Sequence, residues 1–127
     1  MPAREAFAYA LLRVIPDAER GEALNVGIVL FCTGRNFLQL RSAVSSEKLR
    51  ALHSDVDVDA VADHMRALEL IAAADPKGGP IARGSASARF NWLVAPSSTL
   101  VQPSEVHTGL CTDPEETIER LFLQLVL

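Results

Sequence analysis

Residues 7–15 carry apolar side chains on both alternating faces, with Phe7, Tyr9 and Leu11 on one and Ala8, Ala10, Leu12 and Val14 on the other. A strand covered by other elements on both sides reads this way. Pro16 stops the run, and Pro16-Asp17-Ala18-Glu19-Arg20-Gly21-Glu22 forms a polar connection bounded by turn formers. Residues 26–32 are dominated by β-branched and aromatic types and predict a second strand. Thr33-Gly34-Arg35-Asn36 is a short connection, and residues 37–41 return as a third strand. Three strands in a row with short links imply an antiparallel meander.

The period then changes from two to about 3.6. Ser45 or Ser46 is placed to cap a short helix that runs to His53. Asp57 is placed to cap a second, in which Val58, Val61, Met65 and Leu68, with Ala62 and Ala72, fall on one face. Asp75-Pro76-Lys77-Gly78-Gly79-Pro80 ends that helix, and residues 75–87 read as a long, mobile surface loop. Residues 90–95, which hold the single tryptophan, read as a further strand, and residues 100–106 as a short one kept at an edge by Pro103. The C-terminal helix is the most clearly signalled element. Asp113 caps it, Pro114 takes its first position, Glu116 has capping-box spacing, and Ile118, Leu121, Phe122 and Leu125 form its apolar stripe. The pattern predicts one α+β domain over residues 1–127: an antiparallel sheet, built from the N-terminal meander plus the strand at 90–95, packed against a middle helix pair and a C-terminal helix.

Composition narrows the function classes. The 127 residues, 49% hydrophobic and 22% charged, are a globular balance rather than a disordered one. A net charge of −4 with scattered Lys and Arg argues against a nucleic-acid binder. Arg13 interrupts the first apolar run too soon for a secretion signal, and no stretch reaches the ~20 apolar residues of a membrane helix. Cys32 and Cys111 are too few for a disulfide framework, and Cys32, at the end of an apolar run, reads as a buried free thiol; a cytoplasmic setting is expected.

The common chemical motifs fail at named positions. Asp55-Val56-Asp57-Val58-Asp59 begins like a calcium loop, but Ala60 and Arg66 stand where glycine and glutamate are required. These carboxylates instead suit a helix N-terminus. Gly79 and Gly84 have phosphate-loop spacing, yet Ser85 and Ala86 replace the lysine and hydroxyl residue. His53, His64 and His107 show no zinc spacing, so neither a metal nor a cofactor is expected. Ser98, Ser104, Cys111 and His107 lie close in sequence, and Glu22 would complete a nucleophile–base–acid set if the fold brought it near, but no nucleophile elbow is present.

Two polar segments remain. In the first, Arg20, Glu22 and Asn25 lead into the second strand, and Gly27 lies within it, as at a bulge or a close backbone approach. An ion pair for Glu22 and turn hydrogen bonds for Asn25 are the structural alternative. The second, residues 97–109, is dense in neutral donors and acceptors, among them Ser98, Thr99, Gln102, Ser104 and His107, suited to holding a phosphate, a peptide backbone or another chain. An ordinary polar loop is the alternative there.

Both segments carry a family likeness. Tyr9-Ala10-Leu11-Leu12-Arg13-Val14-Ile15-Pro16-Asp17, Arg20-Gly21-Glu22 and Asn25-Val26-Gly27-Ile28-Val29-Leu30 resemble the bacterial domain-of-unknown-function family 3037. So do Arg89-Phe90-Asn91-Trp92-Leu93, Ser98-Thr99, Gln102-Pro103-Ser104 and His107-Thr108-Gly109-Leu110. The resemblance implies no activity, but it implies a gene context beside kinases similar to HipA. One departure is Ser97, where the family pattern has an arginine before the Ser-Thr pair; if that arginine contacts an anion, the function is weakened here or supplied by another residue such as Arg89. The expected function is a non-catalytic interaction or regulatory protein with a HipA-like kinase as partner. The rival is a small hydrolase or nucleotide-handling enzyme using Glu22, Asn25, Gln102, Ser104 and His107, and a self-associating structural protein is a third.

Overall fold

The computed structural model describes residues 3–127. Strands β1 (Glu5–Val14), β2 (Leu24–Cys32) and β3 (Phe37–Ser42) form the antiparallel meander that three successive strands with short links predict. One 3-10 turn, Thr33–Arg35, joins β2 to β3, and Asn36 closes it at φ 48°, a left-handed conformation that asparagine tolerates. Helix α1 (Ser46–Leu52) starts at Ser45, whose hydroxyl accepts the Lys48 N–H at 3.2 Å. Helix α2 (Val58–Ala72) starts at Asp57, whose carboxylate accepts the Ala60 N–H at 3.0 Å.

The segment after α2 differs from its sequence reading. Residues 75–87 are not a long loop: two 3-10 turns, Pro76–Gly78 and Pro80–Arg83, occupy most of it. The Asp75 carboxylate accepts the Lys77 N–H, and Ala82 is buried against Gly78. Residues 90–95 do not form a strand either. They lie largely in helix α3 (Ala86–Leu93), which Ser85 caps by accepting the Ala88 N–H at 3.1 Å. Phe90 and Leu93, three apart, share its buried face, and the alanines at its start favour the helix.

β4 (Val101–Pro103) falls within the short edge strand expected at residues 100–106, and β5 (His107–Cys111), which the sequence pattern does not indicate, follows before helix α4 (Pro114–Leu125). Both pair antiparallel with β1 on the edge opposite β2: β4 along Leu12–Val14 and β5 along Glu5–Tyr9. α4 begins as its sequence indicates, with the Asp113 carboxylate accepting the N–H groups of Glu115 and Glu116 at 3.1 and 3.4 Å. The architecture is α+β: an open, five-stranded antiparallel sheet with α-helices on both faces.

The two faces of β1 explain this layering. Ala10, Leu12 and Val14 bury with Val29 against Leu49 of α1, Val61, Met65 and Leu68 of α2, and Phe90 and Leu93 of α3. Phe7 buries on the other face with Ile28, Leu30 and Cys32, against Ile118, Leu121 and Phe122 of α4. Each fully buried side chain of this size contributes roughly 1.5–3 kcal/mol. The strand that reads as covered on both sides is so covered. Val26 is an extra residue on β2, because Leu12 pairs with Gly27 while Arg13 pairs with Asn25. That bulge re-aims Asn25, whose Nδ2 donates to the Leu125 carbonyl at 2.9 Å and ties the end of α4 to the sheet.

Candidate functional site

A pocket of ≈ 270 Å³ opens where α2, α3 and the chain entering β4 converge over β1. Leu12, Leu68, Leu93 and Val101 give it an apolar lining, while Trp92, Ala95, Pro96 and Pro103 form more of its wall. His64, Ser97 and Thr99 are its polar members. Trp92 takes this place because Phe90 and Leu93 face the core. One residue before Leu93 lies about 100° around the helix, at the border of the buried stripe. Its side chain is therefore left 45% exposed. Next to it, the Thr99 hydroxyl donates to the Val101 carbonyl at 2.7 Å and lies 3.2 Å from the Ser97 hydroxyl, while the Ile15 N–H to Leu100 carbonyl bond anchors the segment to β1. Ser98 is exposed beside them.

The other predicted residues are placed individually. Ser104, between β4 and β5, ties the chain to β1: its N–H donates to the Leu11 carbonyl at 2.7 Å, and its hydroxyl accepts the Leu11 N–H at 2.8 Å. Its side chain thus stands in for a backbone carbonyl where the strands change over. His107 pairs with Tyr9 in the ladder, and the two rings lie 5.2 Å apart. Gln102 and Asn25 both oppose Arg13, one from each side, so the two polar segments do meet in one cross-strand row. Arg13 stands out in the sequence only as a charge inside an apolar strand; its Nε is buried without a hydrogen-bond partner among the described residues.

Arg20 and Glu22 form an exposed ion pair at 2.5 Å, bordering a small cleft with Pro16, Leu52 and His53. The hydrogen bond from Arg20, followed by its charge, holds the Glu22 carboxyl below its ordinary range. The structure does not bring Glu22 and His107 together. Glu22 precedes Leu24, the partner of Val14, whereas His107 pairs with Tyr9, five residues away along β1, or roughly 17 Å at strand rise. Arg89 is committed elsewhere: Nη1 donates to the Ala72 and Ile71 carbonyls at 2.8 and 3.3 Å, and Nε to Gly84 at 3.1 Å. It caps the end of α2, as cations do at helix C-termini, and does not stand in for the arginine replaced by Ser97.

Burial, and then the neighbouring Cys32, pushes the Cys111 thiol up, opposite to the shift that activates a nucleophile. Among the described residues no group of three or more His, Cys, Asp or Glu side chains is placed to hold a metal ion, and no helix is long and apolar enough to cross a membrane.

Gly27 marks a close approach. A Cβ there would lie 2.7 Å from the Met65 methyl of α2 and 3.1 Å from the Arg41 carbonyl. Gly27→Ala is expected to cost about 1–3 kcal/mol by overpacking. Met65→Val is then expected to destabilise the Gly27→Ala chain less than the parent chain, because the added methyl occupies the vacated space. Urea unfolding of the four chains measures the coupling; strict additivity would remove the contact as the reason for glycine.

Compared with known proteins, residues 9–126 match the model of a family described as protein of unknown function (DUF3037). No curated protein and no solved structure matches the chain.

Proposed function

The chain belongs to the DUF3037 family, and on that premise we propose that it is a non-catalytic interaction or regulatory protein that captures an apolar side chain of its partner in the Trp92 pocket. The observation that carries this reading is the half-exposed Trp92 on the wall of an apolar pocket with a polar rim. Tryptophan is enriched among the residues that dominate binding energy at interfaces, because it offers a large, rigid contact area. The volume of ≈ 270 Å³ lies below the ~300–1,000 Å³ of drug-sized ligand sites. It suits a single branched or aromatic side chain, with His64, Ser97 and Thr99 available to the backbone around it.

The proposed partner is a kinase similar to HipA, the neighbour that the family resemblance suggests. The proposed setting is a bacterial cytoplasm, with which two buried free thiols agree. Co-expression of the neighbouring kinase with the affinity-tagged chain, followed by capture, tests the reading. Co-purification with a change in kinase activity is expected. Failure to co-purify, together with unchanged kinase activity, would overturn it.

A further inference from the structure

β3 is the outermost strand on the side of the sheet away from β4 and β5, and among the described residues no strand pairs with its outer edge. The ladder fixes which backbone groups point outward. The Ala43 N–H donates to the Val26 carbonyl at 2.9 Å, and antiparallel ladders alternate bonded and non-bonded pairs. Counting from there, Arg41–Ile28, Gln39–Leu30 and Phe37–Cys32 are the bonded pairs. Leu38, Leu40 and Ser42 therefore turn their N–H and C=O groups to the open edge.

A groove of ≈ 360 Å³ follows this edge between Leu38, Gln39 and Leu40 of β3 and Glu69, Ala72 and Ala73 at the end of α2. The two alanines leave room beside the strand. Glu69 is the charged side chain of the groove, in the part of α2 where the helix dipole is negative. It accepts a hydrogen bond from the Ser42 hydroxyl. The ion pairs among the described residues, Arg20–Glu22 and Arg66–Asp63, leave it without a cation.

We propose that β3 and this groove bind an extended segment of a partner protein that carries a lysine or arginine, adding it to the sheet as a sixth strand. Strand addition of this kind takes affinity from main-chain hydrogen bonds and specificity from alternate side chains. The outward groups of Leu38, Leu40 and Ser42 supply the first. The alanine-floored groove and Glu69 supply the second. A second copy of the chain fits less well, because it would bring another Glu69 and another net charge of −4 to the same edge. This surface lies at the opposite edge of the sheet from the Trp92 pocket, so both can be occupied together.

The test uses the isotope-labelled full chain and three nine-residue peptides alternating threonine and valine, with lysine, glutamine or glutamate at the centre. The lysine peptide is expected to shift the amide signals of Leu38, Leu40 and Ser42, slow their hydrogen exchange, and bind at least fivefold more tightly than the glutamate peptide. Glu69→Gln, which keeps an oxygen for the Ser42 hydroxyl, is expected to abolish the preference for lysine over glutamine. The proposal is overturned if millimolar lysine peptide leaves those amides unprotected, or if lysine and glutamate peptides bind alike. A concentration-dependent dimer that protects the same amides without peptide would also overturn it, assigning the edge to a second copy.

Discussion

Replacing Trp92 by alanine is expected to weaken binding of the proposed kinase partner by about 2 kcal/mol or more, some thirtyfold, while leaving the fold intact. The two halves of this result have separate causes. The indole is 45% exposed in the unbound chain, so its removal takes away only part of the burial that a core position would lose. The neighbouring Phe90 and Leu93, which hold α3 to the core, stay in place. In a complex, the exposed half of the ring would be desolvated and its wall of the pocket completed, which is where truncation costs most. Trp92→Phe is expected to retain part of the affinity, since a flat apolar surface remains. Calorimetric titration of the purified kinase with each variant, alongside thermal unfolding, separates binding from stability. An affinity for Trp92→Ala within twofold of the parent would dismiss the pocket as the binding site even if the proteins associate.

Ile118→Ala is expected to produce the largest loss of stability, about 2–5 kcal/mol, from the lost transfer energy and the cavity left behind. Ile118 is fully buried and packs among Phe7, Ile28, Leu30 and Phe122, where few atoms are free to collapse into the space. Small domains have about 5–15 kcal/mol in all, so a third of the total is at stake. Leu121 and Phe122 share the burial of α4 against the sheet, and its polar ties add little beside them. The Asn25 to Leu125 bond contributes about 1 kcal/mol, and the Arg41 guanidinium over the Phe122 ring at 4.8 Å a similar amount at most. Urea unfolding checks the value, and a loss below about 1 kcal/mol would mean that α4 is not the cover of that sheet face.

The elements that were legible in the sequence are those whose signals are local. β1 follows from apolar residues on both of its alternating faces, β2 from its β-branched and aromatic content, and β3 from the short connection that precedes it. α1 follows from a serine cap at 45 or 46, and α2 and α4 from caps at Asp57 and Asp113 followed by a helical period. Residues 90–95 read as a strand and lie largely in α3 because Phe90-Asn91-Trp92-Leu93-Val94-Ala95 is a short apolar run, and six residues do not separate a helix from a strand by periodicity. What settles it lies outside the run, in the Ser85 cap and the reach of Arg89 to the α2 carbonyls. β5 escaped notice for another reason. His107-Thr108-Gly109 offers one strand-favouring residue beside a glycine, too weak a signal to mark a strand, and Phe7, lying over Gly109, holds the segment in register from about a hundred residues away.

The site was legible in parts. Of the residues singled out in the sequence, Trp92 and Thr99 line the pocket and Ser98 lies beside it, whereas His64 and Leu68 join them only through the packing of α2. Ser104 looked like a functional hydroxyl and serves the β1 ladder, and Arg89 looked free and is committed to three carbonyls. Polar residues taken up by backbone groups look the same in sequence as polar residues left for a ligand.

Pairing on both edges of β1 has a consequence for how the chain reaches this state. One edge meets β2 within the N-terminal meander, at low contact order; the other waits for Pro103 opposite Leu12, roughly ninety residues later. The length-dependent part of closing such a loop, (3/2)RT ln n, is about 4 kcal/mol, and it precedes any reward from the contacts formed. As the chain emerges from its N-terminus, β1 therefore carries an unpaired hydrogen-bonding edge until β4 and β5 exist. The strand at the centre of the finished sheet is the exposed strand of the growing one, and its vulnerability to wrong pairing lies in synthesis rather than in the native fold.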